Sequence, residues 1–182
     1  MRSFGISICL LIVAGMMQAQ SAGGGVDAAL LSRAQSGDAA AEVAVGEGYA
    51  AGKDLPQAAN WYRMAAEQGS IDGELHLAAL LRDGGKGLPR NMEEAARWYR
   101  KAAEAGNVKA QATLGVLYSM GQGVPHNDVE AYFWLDVAAH AAGPDQQKYA
   151  ANRQMIGTHI TTDEFEGLQE RLARWLAAHP AK

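Results

Sequence analysis

Trp61-Tyr62-Arg63-Met64-Ala65-Ala66-Glu67-Gln68-Gly69 returns as Trp98-Tyr99-Arg100-Lys101-Ala102-Ala103-Glu104-Ala105-Gly106, and again, worn, as Trp134-Leu135-Asp136-Val137-Ala138-Ala139. From Trp61 to Trp98 is 37 residues and from Trp98 to Trp134 is 36. A unit recurring about three times at such a period marks stacked supersecondary modules, each too small to bury its apolar face alone. With 48% apolar residues among 182, the chain carries enough for one continuous core.

Each unit divides into two helical stretches. The first helices are expected over Ala39 to Ala51, Asp72 to Asp83 and Lys109 to Met120, and the second over Leu55 to Gln68, Met92 to Ala105 and Asp128 to Ala141. Asp54, Asn91 and Asn127 stand three residues before Gln57, Glu94 and Glu130, the spacing of a capping box with Asp or Asn in the leading place. Gly69 and Gly106 mark second-helix ends, where a left-handed residue is needed. Within the second helices Ala58, Trp61, Ala65 and Gly69 share a face, as do Ala95, Trp98, Ala102 and Gly106; here small residues let helices approach and the indole is expected to fill the space between them. Gly46, Ala78 and Gly115 play the small-residue part on the first helices. Connections run Gly84-Gly85-Lys86-Gly87-Leu88-Pro89 and Gly121-Gln122-Gly123-Val124-Pro125, shortened in the first unit to Gly52-Lys53.

Taken in order, Leu114-Gly115-Val116-Leu117-Tyr118, Gly121-Gln122-Gly123-Val124-Pro125, Asn127, Ala131 and Trp134 with Ala138-Ala139 resemble the Sel1-like repeat, a relative of the tetratricopeptide repeat with longer loops between helices. The first unit lacks the Gly-x-Gly loop, the middle unit has Ala78 and Leu81 where glycine and tyrosine are expected, and the third has Leu135 in place of tyrosine. The resemblance implies an all-α, right-handed αα-hairpin solenoid with repeats at 38–69, 70–106 and 107–143. Val26 to Gln35 would form an N-terminal capping helix within 23–37. Gln146 to Ile156 and Glu164 to Ala178 would form C-terminal caps within 144–182, the last opened by a Thr161/Glu164 capping box and polar through Glu166, Gln169, Glu170, Arg171 and Arg174.

The chain opens with Met1-Arg2, an apolar run from Ile6 to Met17 and the small, polar Ala19-Gln20-Ser21-Ala22, the pattern of an export signal over residues 1–22. The run is short for a bilayer span, so cleavage after Ala19, Ser21 or Ala22 is expected, with no stable membrane insertion afterwards. Bulky Ile8 before Cys9 argues against lipidation. Cleavage would remove the sole cysteine and Arg2, moving the net charge from −4 to −5 and leaving a thiol-free product suited to the periplasm or the exterior. That acidic balance supplies no field for phosphate, so no nucleic-acid partner is expected.

No motif supports catalysis, a cofactor or a metal. His76, His126, His140, His159 and His179 form no ligand spacing, Leu117-Tyr118-Ser119-Met120-Gly121 lacks the first glycine of a nucleophile elbow, and Gly84-Gly85-Lys86-Gly87 is no phosphate loop. Tyr132, Phe133 and Trp134 are read as core, with Phe165 and Trp175 behind them. Some Sel1-like proteins have been called β-lactamases, but those are cysteine-rich. The resemblance instead implies a non-enzymatic adaptor that binds a protein or peptide through a concave groove lined by the first helices. Polar positions there that vary between units, Glu42, Glu47, Glu74, His76, Arg82, Gln111, Thr113 and Ser119, are the candidate contacts. The alternatives are a periplasmic immunity protein neutralising a secreted toxin and, less favoured, an envelope hydrolase.

Overall fold

A computed structural model describes residues 26–141 and 143–179, and its regular structure is helical throughout: α1 (Ala28–Gln35), α2 (Ala39–Ala51), α3 (Leu55–Glu67), α4 (Ile71–Asp83), α5 (Met92–Glu104), α6 (Val108–Met120), α7 (Asp128–His140), α8 (Gln146–Gly157) and α9 (Thr162–Ala178). The segment read as an export signal, with Cys9 and the cleavage sites, lies outside the described residues. Helices α2 and α3, α4 and α5, and α6 and α7 pair as hairpins, and each second helix also packs on the first helix of the next pair. The result is an all-α solenoid of helical hairpins. Helix α8 follows on α7 as another first helix would, whereas α9 packs back on α7 and barely touches α8.

Local chemistry fixes the helix starts. Asp54, Asn91 and Asn127 accept the N–H of Gln57, Glu94 and Glu130 at 3.2, 3.1 and 3.0 Å, and Asp38, Ser70 and Asn107 do the same for the first helices. Among the described residues only Thr161 and Glu164 complete the reciprocal box, each side chain meeting the other's backbone N–H. Gly69 and Gly106 end α3 and α5 at φ +83° and +88°, where an L side chain would be strained.

The connections differ in length yet keep one register. The N–H of the residue that caps each second helix donates to the same carbonyl of the preceding first helix: Asp54 to Tyr49 at 2.9 Å, Asn91 to Leu81 at 2.8 Å and Asn127 to Tyr118 at 3.0 Å. In the short first connection Lys53 itself takes the left-handed conformation, at φ 62°. The longer loops reach back to the preceding repeat. A Cβ on Gly85 would lie 2.4 Å from Leu55 Cδ1, and one on Gly123 would lie 2.0 Å from the Met92 carbonyl oxygen, so each loop rests on the first turn of the previous second helix. Leu88 and Val124 pack against the core, as their plug-like placement predicts.

The core runs through the stack on alanine and tyrosine. The expectation that indoles fill the space between helices fails in the first two repeats. There Tyr62 and Tyr99 are the buried rings, 3% and 4% exposed, while Trp61 and Trp98 lie half-buried on the flank. Adjacent helical residues point about 100° apart. Because Ala58, Ala59, Ala65 and Ala66 are all buried, the inward stripe centres on Tyr62 rather than on its neighbour. A Cβ on Gly46 would stand 2.6 Å from the Tyr62 ring, and one on Gly115 would stand 2.7 Å from Leu135 Cγ, so the first-helix glycines do permit close approach. In the third repeat every residue from Ala131 to Ala139 is buried, including Tyr132, Phe133 and Trp134. Helices α6, α8 and α9 enclose α7.

Candidate functional site

The first helices bring together some of the expected contacts. His76 of α4 lies 3.5 Å from the Glu47 carboxylate of α2 and stacks on the Tyr62 ring at 4.9 Å, so two repeats meet at an exposed acid–imidazole contact. Arg82 sits further along α4, where its guanidinium binds Asp83 at 2.7 and 3.0 Å and donates to the Tyr99 hydroxyl at 3.3 Å. That pairing holds the Asp83 carboxyl below its ordinary range. The hydroxyls of Thr113 and Ser119 donate to the carbonyls of Lys109 and Val116 on their own helix, at 2.8 and 2.9 Å.

Three expected contacts are not on the surface. Glu42, Glu74 and Gln111 are all buried, so their side chains do not line an open groove. Each stands four residues after its helix cap (Asp38, Ser70 and Asn107), which turns it toward a neighbouring second helix. Gln68 donates to Glu42 at 2.7 Å, and Gln111 donates to the Ala103 carbonyl at 3.1 Å. Burial raises the carboxyls of both Glu42 and Glu74; the Gln68 hydrogen bond opposes the rise at Glu42, and the Lys101 charge opposes it at Glu74.

On the side of the second helices an open cleft of about 420 Å³ lies between α5, the end of α6, the start of α7 and α9. Arg171 of α9 grips Glu130 of α7 with both terminal guanidinium nitrogens, at 2.6 and 3.1 Å. Arg100 of α5 donates to the Tyr118 hydroxyl and sits 5.6 Å from that ring's centre. Trp134 forms part of the lining. A second cleft, of about 670 Å³, opens between α8 and α9 over Tyr132.

The Sel1 repeat family model matches residues 37–70, 71–107 and 108–142, more than half of the chain. The chain belongs to the Sel1 repeat family. Among solved structures it is similar to c5321, a protective antigen of uropathogenic Escherichia coli displaying an SLR fold, at 29% identity and a TM-score of 0.70. That match covers 81% of this chain but 32% of the antigen, so the chain spans about a third of that protein's length. A Sel1 repeat protein from Oxalobacter formigenes matches at 33% identity and a TM-score of 0.57, covering 65% of this chain and 92% of that one. Cysteine-rich protein B of Helicobacter pylori, 18% identical with a TM-score of 0.51 over 65% of this chain and 87% of that one, shares the fold. No curated protein matches the chain in sequence. Sel1 repeats are in general modules for binding other proteins, so the family suggests protein binding as the coarse function.

In this Sel1 repeat protein the remaining histidines take structural places. His126 and His159 approach the Asp128 carboxylate at 3.5 and 3.4 Å, His140 contacts the Asp136 carbonyl at 2.8 Å, and His179 stacks on Trp175. Among the described residues no group of three His, Cys, Asp or Glu side chains is placed to hold a metal ion, and no helix is long and apolar enough to cross a membrane. Motif reading misses the Arg100 cleft, because its walls come from helices far apart in sequence. One signal for it does exist: Arg63 and Glu94 stand at the same places relative to Trp61 and Trp98 as Arg100 and Glu130 do relative to Trp98 and Trp134.

Proposed function

We propose that this protein is a non-enzymatic interaction scaffold of the bacterial cell envelope, exported by its N-terminal segment, which holds a protein partner against the exposed side of α2, α4 and α6. The observation that carries this reading is the contact of Glu47 with His76 across two repeats, since it sets side chains of separate units in one row on a stack of hairpins. With Glu42, Glu74 and Gln111 committed to the interior, recognition falls to Glu47, His76, Arg82, Thr113 and Ser119. The export reading draws on the Met1 to Ala22 pattern and on a remainder without cysteine.

Crosslinking with mass spectrometry in the native envelope tests both halves. A partner crosslinked beside α2, α4 or α6 is expected, with the chain recovered in the periplasmic or secreted fraction. Glu47→Lys combined with Arg82→Glu should weaken the complex at least tenfold. An unchanged complex would remove this face from the interaction. Recovery of a secreted toxin as the partner would make the scaffold an immunity protein.

A further inference from the structure

The repeat register assigns the ion pair between the first two second helices a successor, and among the described residues that successor is missing. Arg63 of α3 binds Glu94 of α5 at 2.8 Å, joining the first and second repeats. The equivalent pair between the second and third repeats is Arg100 with Glu130, since both residues keep their offsets from Trp98 and Trp134. Glu130, however, is held by both terminal guanidinium nitrogens of Arg171 from α9. Arg100 is left with the Tyr118 hydroxyl alone, and no carboxylate stands within 4.0 Å of it among the described residues. A guanidinium offers five N–H donors in a planar fork that matches a carboxylate, so most of the capacity of Arg100 is unspent.

We infer that the cleft between α5 and α9 binds a carboxylate through Arg100, and that its natural source is an aspartate or glutamate side chain of the protein partner. This deepens the scaffold reading and rests on it for the choice of a protein as the source. Arg171 neutralises Glu130 inside the cleft, so that acid does not compete for Arg100. Glu104 lines the same cleft one turn along α5 and has no ion-pair partner among the described residues. Its charge opposes a dianion such as phosphate about twice as strongly as a monoanionic carboxylate, which favours the carboxylate of the two. Trp134 and Pro125 supply apolar wall for the methylene groups that carry such a carboxylate. Binding here gives the partner a second contact on the second-helix side, in addition to the row of Glu47 and His76.

The test is a titration of the full chain, isotopically labelled, following the Arg100 Nε–H resonance by NMR. The probe is N-acetylglutamate N-methylamide, with its neutral glutamine counterpart, N-acetylalanine and inorganic phosphate as controls. A saturable shift with the glutamate probe in the millimolar range is expected, and phosphate and the glutamine probe should produce none. Arg100→Gln, an exposed substitution, should weaken binding at least tenfold, as read by the Trp134 indole resonance. Arg171→Gln frees Glu130 to take Arg100 and should weaken it about fivefold, while Arg171→Gln with Glu130→Gln should restore it. A shift shared by the glutamine probe, or binding that survives Arg100→Gln, overturns the site. Loss in Arg171→Gln that the double variant fails to restore overturns the register account, and a response to N-acetylalanine alone overturns the side-chain source. A partner crosslinked in the envelope while Arg100 stays silent sinks this inference and leaves the scaffold reading standing.

Discussion

Helices α5 and α7 hold equivalent places in consecutive repeats and live in opposite surroundings. On α5, Ala95, Ala96, Tyr99, Ala102 and Ala103 face inward, while Glu93, Arg97, Arg100, Lys101 and Glu104 face water. On α7 there is no such outer face from Ala131 to Ala139, and even Asp136 is buried, paired with Arg153. What differs is the covering. Solvent lies over α5, and α9 lies over α7, with Trp175 edge-on to Phe133 and Trp134 at 6.0 and 5.2 Å and the Arg171 guanidinium 3.7 Å from the Phe133 ring centre. Trp98 therefore stays half-exposed, its indole N–H 3.4 Å from Glu94 and its ring under the Lys101 ammonium at 4.3 Å, whereas Trp134 is 4% exposed. Sites that match in a repeat alignment need not match in energy, because neighbours set burial.

The contrast breaks most visibly at Trp134. Trp134→Ala should lower the unfolding free energy by about 3 to 5 kcal/mol, the cost of emptying a fully buried aromatic site. Gly123→Ala should cost about 2 to 3 kcal/mol, since it adds a left-handed penalty at φ +69° to a collision with the α5 backbone. Gly106→Ala, with the same backbone sign but open space around it, should cost only about 1 kcal/mol. Trp98→Ala should cost about 1 to 2 kcal/mol, as befits a half-buried ring. Urea unfolding of the four variants measures all of this, and equal losses at Trp98 and Trp134 would abolish the difference between α5 and α7.

The smallest effect concerns Glu74. Burial raises its carboxyl above the ordinary 4.5, so the folded chain holds that proton more tightly than the unfolded chain does. Its contribution to stability is then fully present below pH 4.5 and is lost as pH rises through the folded value. Glu74→Gln should accordingly stabilise the protein at pH 7 by about 0.5 kcal/mol, with the gain fading on acidification. Gln111 already occupies the matching position in the third repeat and donates to Ala103 O. Thermal unfolding at pH 4 and pH 7 checks the sign, and a gain that grows on acidification would reverse it.

Helix limits were readable to within a residue or two, because Asp54, Asn91, Asn127 and Thr161 mark starts by chemistry that acts over three residues. The choice between Trp98 and Tyr99 was not readable in the same way. Both are large and apolar, and a stripe of alanines on either side fits an axis drawn through either one. Glu42, Glu74 and Gln111 misled for a different reason: polar and variable residues suggest solvent, yet at a helix interface they can satisfy one another and the backbone. The Arg100 cleft depends on α9 folding back to take Glu130, a tertiary event of which the sequence carries only the repeated offsets of Arg100 and Glu130 from their tryptophans.

The backbone link from each second-helix cap to the end of the preceding first helix has an evolutionary corollary. Because the clasp closes on the same carbonyl whether two, six or seven residues intervene, the length of the linker does not set the register of the hairpin. Insertions and deletions can accumulate there without tilting the stack, which makes these loops the natural ground for diversification.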